Sequence, residues 1–142
     1  GILRGGNMTM LSMLCGTPYF LEDDSIEDTI LFIEDVGEAP YKLDRMLQQW
    51  RLSGLLNRIK GMMLGTFTDC EGDEDESDYD IGYEALRYME ENRAVHLSDP
   101  FVCYVPTGHG TPHQTLPLGG HVHFRYISNT IVLSPYTEQR TL

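Results

Sequence analysis

Two short stretches hold side chains that could move a proton under control. Glu34 ends the apolar run Thr29-Ile30-Leu31-Phe32-Ile33 and is followed by Asp35-Val36-Gly37-Glu38. A carboxylate at the carboxyl end of a buried strand sits where α/β sheets open toward ligands. A solvated acid closing a strand would read the same way. His109 stands between two glycines in Pro106-Thr107-Gly108-His109-Gly110-Thr111-Pro112-His113. Such a loop leaves the imidazole uncrowded, a good setting for a general base. A plain glycine-rich turn is the alternative. A Glu and a His are two members of a nucleophilic triad, the orienter and the base. The third member has no candidate here. None of the seven serines lies in a Gly-x-Ser-x-Gly elbow. Cys15 and Cys70 have apolar or acidic neighbours, which do not lower a thiol pKa, and Cys103 falls inside an expected strand.

Metal chemistry is a competing reading. His109, His113, His121 and His123 could form a hydrolytic metal centre, with His121 and His123 on one face of a strand, about 7 Å apart. The two prolines and Gly110 argue against a helix that would pair His109 with His113. The acidic tract 69–80 lacks the glycine and ligand order of a calcium loop.

These residues need elements to position them. Asn7 can cap a short buried helix over 8–15, stopped at Gly16-Thr17-Pro18. The run 29–34 reads as a strand buried on both faces. Pro40 opens the strongest helix pattern, with Leu43, Met46, Leu47, Trp50 and Gly54 at helical spacing and a further turn at 55–59. Residues 61–67 read as a second buried strand, 81–92 as a helix with Ala85, Leu86 and Met89 inward, and 101–105 as a third strand closed by Pro106. The tail alternates, with Val122, Phe124 and Tyr126 on one side and His121, His123 and Arg125 on the other. That predicts a hairpin turning at Ser128-Asn129 and returning over 130–133. Alternating strands and helices with a terminal hairpin give an α/β fold with a mixed sheet.

Composition narrows the partners. The 142 residues suit a single domain, 1–142. Asp and Glu number 22 against 10 Lys and Arg, a formal charge of −12. That argues against nucleic acid or an anionic membrane as the main partner. Seven of the 22 acids crowd into residues 71–80, expected to be a mobile, solvated loop. Three cysteines without a framework fit a reducing compartment. No apolar run is long enough to span a bilayer, and no signal peptide is expected. The opening Gly1-Ile2-Leu3-Arg4 without Met reads as a boundary inside a longer protein.

Four stretches together resemble the C-terminal half of the LD-carboxypeptidase family, serine peptidases that include muramoyl-tetrapeptide carboxypeptidases and microcin-immunity peptidases. They are Gly5-Gly6-Asn7 leading to Gly16-Thr17-Pro18-Tyr19; Ile30 through Glu38; Tyr41-Lys42-Leu43-Asp44-Arg45-Met46-Leu47; and Gly108-His109-Gly110 followed by Leu116-Pro117-Leu118-Gly119. The resemblance implies a swivelling β/β/α domain that supplies Glu34 and His109 to a Ser-Glu-His triad. The serine would come from an N-terminal nucleophile domain that this chain lacks, so the chain alone would be inactive. It implies release of the terminal D-alanine from cytoplasmic cell-wall tetrapeptides during peptidoglycan recycling, without metal or cofactor. The implied partners are a muropeptide-like substrate, the N-terminal domain and a second copy in a homodimer. Asp35-Val36-Gly37-Glu38 favours the cell-wall branch over a microcin-immunity-type amide hydrolase; a non-catalytic binding module is the other alternative. The expectations are that Glu34 and His109 meet within a hydrogen bond or one water, and that apolar surface is exposed toward the missing domain.

Overall fold

The computed structural model describes residues 1–20, 26–72, 79–92, 100–127 and 130–135. Strand β1 (Ile2–Asn7) runs into the one-and-a-half-turn helix α1 (Met8–Met13), where Asn7 Oδ1 accepts the Met10 N–H at 2.9 Å, the expected cap. A 3₁₀ turn (Ile26–Asp28) leads to β2 (Thr29–Val36), which is buried up to Asp35. Pro40 opens α2 (Pro40–Leu52), since proline at the first helical position gives up no N–H that the helix needs. The expected extra turn is a separate short helix, α3 (Leu55–Arg58), because Gly54 breaks the chain in left-handed backbone. Then come β3 (Gly61–Thr68), α4 (Ile81–Asn92), the two-residue β4 (Phe101–Val102), and the hairpin β5 (Val122–Ile127) with β6 (Thr130–Pro135).

Strands β1-β2-β3-β4 form one parallel sheet in sequence order, and β5-β6 form a separate antiparallel pair. Right-handed crossovers between neighbours throw all the intervening helices onto one face. The main core bears this out: Leu31, Ile33, Met62 and Leu64 of the sheet pack with Met8, Leu43, Leu47, Trp50, Leu56, Ala85, Tyr88 and Met89. The opposite face is smaller, with Leu3, Ile30, Phe32, Met63 and Val122 buried. The hairpin covers it, hung from the edge strand by an antiparallel bridge between Ile2 and His121 and by hydrogen bonds from Leu3 N–H to Gly120 O (3.0 Å) and from Gly119 N–H to Leu3 O (2.7 Å). The α/β class therefore stands, and the parallel and antiparallel strands lie in two sheets joined by this bridge.

Three local expectations change. α1 is shorter than 8–15 and only Met8 is buried; Met10 is 58% and Met13 69% exposed, because a helix this short presents one residue per turn to the sheet. In α4 Tyr88 takes the inward place expected of Leu86, its hydroxyl donating to Asp44 at 2.8 Å. β4 stops at Val102 rather than 105, since Tyr104 adopts left-handed backbone (φ 60) and breaks the ladder. Cys103 is thus just past the strand and half-buried. The Ser128-Asn129 turn and residues 73–78 of the acidic tract lie outside the described residues. At the tract's end, Tyr79 is partly buried and Asp80 caps α4, accepting the Tyr83 N–H at 3.0 Å. No helix among the described residues is long and apolar enough to cross a membrane.

Candidate active site

The site is built on an irregularity at the carboxyl end of the sheet. The β2–β3 register runs Ile33 with Leu64 and then Asp35 with Phe67, so Gly65 and Thr66 together oppose Glu34. A bulge of this kind turns side chains out of the ladder, as at many active sites. Gly65 is required there: a Cβ on it would meet the Thr107 carbonyl at 2.2 Å and Glu34 Cβ at 3.1 Å. The close approach lets the segment after β4 lie against the bulge, with Thr66 N–H donating to Thr107 O at 2.9 Å.

The glycine-rich loop then folds back over Glu34. Gly108 has φ +129, and a Cβ there would meet Thr66 Oγ1 at 2.7 Å and Glu34 Oε2 at 2.8 Å. Only glycine fits both the backbone and the space. Gly110 N–H donates to Thr66 Oγ1 (3.2 Å), and the buried Thr107 donates its hydroxyl to Gln114 O (3.0 Å). His113 Nδ1 lies 2.9 Å from the Gly108 carbonyl. His113 therefore ties the loop to itself rather than standing as a second ligand beside His109.

This loop sets His109 Nδ1 2.7 Å from Glu34 Oε2. The Glu34 side chain is 8% exposed and that of His109 52%. An ionised carboxylate only accepts, so Nδ1 carries the proton and the neutral ring has its lone pair on Nε2. Nε2 makes no hydrogen bond among the described residues, and the ring is half open to solvent. That is the geometry of a base held in one tautomer by a buried carboxylate and turned outward. No Ser or Cys among the described residues bonds His109. Burial pushes the thiols of Cys70 and Cys103 upward, away from the thiolate. Among the described residues no three His, Cys, Asp or Glu side chains gather as metal ligands, and His121 Nδ1 stands instead 3.7 Å from Asp28 Oδ2.

Residue reasoning missed the supports. Asp35 is 2% exposed and accepts from Asn7 Nδ2 (2.8 Å), Thr9 N–H (2.8 Å), Thr9 Oγ1 (2.9 Å) and Val36 N–H (2.9 Å). It ties the end of β2 to the start of α1 and so fixes the strand end that bears Glu34. Thr66 and Thr107 were equally unmarked; nothing in their local sequence separates them from other strand threonines. The adjacency of Asp35 to Glu34 was the one visible signal.

The fold and the paired carboxylate and imidazole define an α/β domain that holds a half-exposed histidine against a buried glutamate. Residues 1–124 match the family described as the LD-carboxypeptidase C-terminal domain, and the chain belongs to that family. The murein tetrapeptide carboxypeptidase of Pseudomonas aeruginosa is 34% identical over 119 residues, covering 84% of this chain and 36% of its own. A muramoyltetrapeptide carboxypeptidase structure from Oxalobacter formigenes superposes with a TM-score of 0.73 at 36% identity, covering 94% of this chain and 44% of that one. The microcin C7 self-immunity protein MccF shares the fold at 21% identity, with a TM-score of 0.73 over 96% of this chain and 38% of its own. The chain thus spans less than half the length of these relatives.

Proposed function

We propose that this chain is the C-terminal domain, residues 1–142, of a serine LD-carboxypeptidase, and that Glu34 and His109 complete a Ser-Glu-His triad whose serine lies in a preceding domain. The single observation behind the reading is the 2.7 Å contact of His109 Nδ1 with the buried Glu34, with Nε2 turned outward. His109 Nε2 takes the proton of the serine hydroxyl as its oxygen attacks the scissile carbonyl. It then gives that proton to the departing amine as the C–N bond breaks, and water releases the acyl group by the same route. Glu34 holds the tautomer and stabilises the imidazolium.

The names of the murein relatives support a cell-wall tetrapeptide as substrate. Loss of its terminal D-alanine, in the cytoplasm and in the course of peptidoglycan recycling, is part of the proposal. A homodimer of the whole protein belongs to the same reading. The test is D-alanine release from purified murein tetrapeptide. The complete gene product should release it, and the 142-residue chain alone should not. Release by the isolated chain, or by neither, overturns the reading. A serine mechanism also expects full activity in EDTA, and loss restored by zinc would favour the metal centre instead.

A further inference from the structure

Because Tyr104 takes left-handed backbone, the chain leaves β3 before its carboxyl end. It returns with backbone bonds from Val105 N–H to Leu64 O (3.0 Å) and from Thr66 N–H to Thr107 O (2.9 Å), and with Gly110 N–H on Thr66 Oγ1. Beside this gap lies a cavity of about 350 Å³, lined among others by Phe67, Ile81, Tyr104, Pro106, Thr111 and Pro112. No Asp, Glu, Lys, Arg or His lines it among the described residues. Its most exposed aromatic is anchored: the Tyr104 hydroxyl donates to Asp80 Oδ2 at 2.9 Å, and Asp80 in turn caps α4.

Neither Glu34 nor His109 lines the cavity, but it is the neighbour of their site through shared residues. Gly65 and Thr66 line it and also floor the site, and Thr111-Pro112 follow His109-Gly110 directly. In acyl transfer the imidazole hands its proton to the departing amine, so the leaving residue lies against the base. We infer that this cavity receives the side chain of the released D-amino acid, and that the side chains it takes are neutral and apolar, up to the size of Leu, Met or Phe. The inference rests on the acyl-transfer reading above. A volume of about 350 Å³ falls at the lower end of small-molecule sites, roughly 300–1,000 Å³. One alanine methyl leaves most of it empty.

The experiment compares kcat/KM of the complete gene product on tetrapeptides ending in D-alanine, D-leucine and D-glutamate. D-Leucine should be released within tenfold of D-alanine, and D-glutamate at least 100-fold more slowly. Ile81→Trp fills the cavity and should lower the D-leucine to D-alanine ratio by more than tenfold, the scale on which apolar pockets discriminate. Tyr104→Gly suits the left-handed backbone and removes the ring, so it should lower the same ratio without depending on how Ile81→Trp folds. D-Leucine refused by the parent protein, or a ratio unmoved by both variants, overturns the inference while D-alanine release leaves the proposed function standing. If D-alanine is not released either, the ¹⁵N-labelled chain is titrated with N-acetyl-D-leucine. Shifts of the Phe67, Ile81 and Tyr104 amides, absent with N-acetyl-D-glutamate, then support the cavity, and their absence overturns it.

Discussion

An alanine at position 108 would have to place its Cβ 2.8 Å from Glu34 Oε2 on a backbone with φ +129. Strain of this kind costs about 1–3 kcal/mol. Gly108→Ala should therefore lower stability by that amount in urea unfolding and push His109 off Glu34, so that D-alanine release by the complete protein falls with it. His109→Ala removes the base itself, and Glu34→Gln removes the acceptor that fixes its tautomer. Each should cut kcat by roughly 10³–10⁴-fold. A loss below tenfold in either would take that residue out of the triad. Asp35 is a different kind of residue, since three of its four hydrogen bonds join β2 to Asn7 and Thr9 at the start of α1, the fourth stays within β2, and none reaches His109. Asp35→Ala leaves buried donors unpaired and should cost about 1–3 kcal/mol or more by urea unfolding. If stability is unchanged, the tie is decorative.

Helix α4 begins where the acidic tract ends, and Asp80 is the joint. Its carboxylate accepts the Tyr83 N–H and the Tyr104 hydroxyl, and these two bonds hold its pKa below the ordinary aspartate range. A pKa lowered by folding stabilises the fold above the unfolded value near 3.9, and that gain is lost as pH falls through the lower folded value. Asp80→Ala should thus cost about 0.5–2 kcal/mol at neutral pH, as helix caps do, and lose its effect as pH falls through the lowered folded value. Thermal melts of parent and variant across that range check it; an undiminished difference in acid would mean the cap does not act through its charge. Asp28, held low chiefly by the Lys60 ammonium 2.6 Å away, has the same sign on the exposed surface between β2 and α3.

Across the whole molecule the two faces of the parallel sheet are unequal. Four helices bury one face, while a hairpin and the loop after His109 cover the other less completely. α1 starts at the same sheet end as Glu34, Asn7 lying in register with it, and exposes Met10 and Met13. Met10 and Met13 are therefore the place to test the expected surface toward a preceding domain. If the preceding domain docks there, Met10→Asp with Met13→Asp should reduce D-alanine release by the complete protein at least tenfold while the melting temperature of this chain alone holds. Unchanged activity would put the docking surface elsewhere.

Continuous apolar runs placed β2 and β3, and helical spacing, with Leu43 and Leu47 in α2 and Ala85 and Met89 in α4, placed the two long helices, each within a residue or two. The stretches around Glu34 and His109 were legible as well, since a carboxylate closing an apolar strand and an imidazole between glycines are local patterns. Their meeting was an expectation that only tertiary structure could decide: the residues are 75 apart in sequence, and the contact depends on the β3 bulge and on two glycines without Cβ atoms. The early end of β4 and the cavity beside it follow from one left-handed residue, Tyr104, whose type does not announce that backbone. Periodicity records which way a side chain faces. It carries no term for how closely two distant backbones approach, and that distance is what brings Glu34 and His109 together.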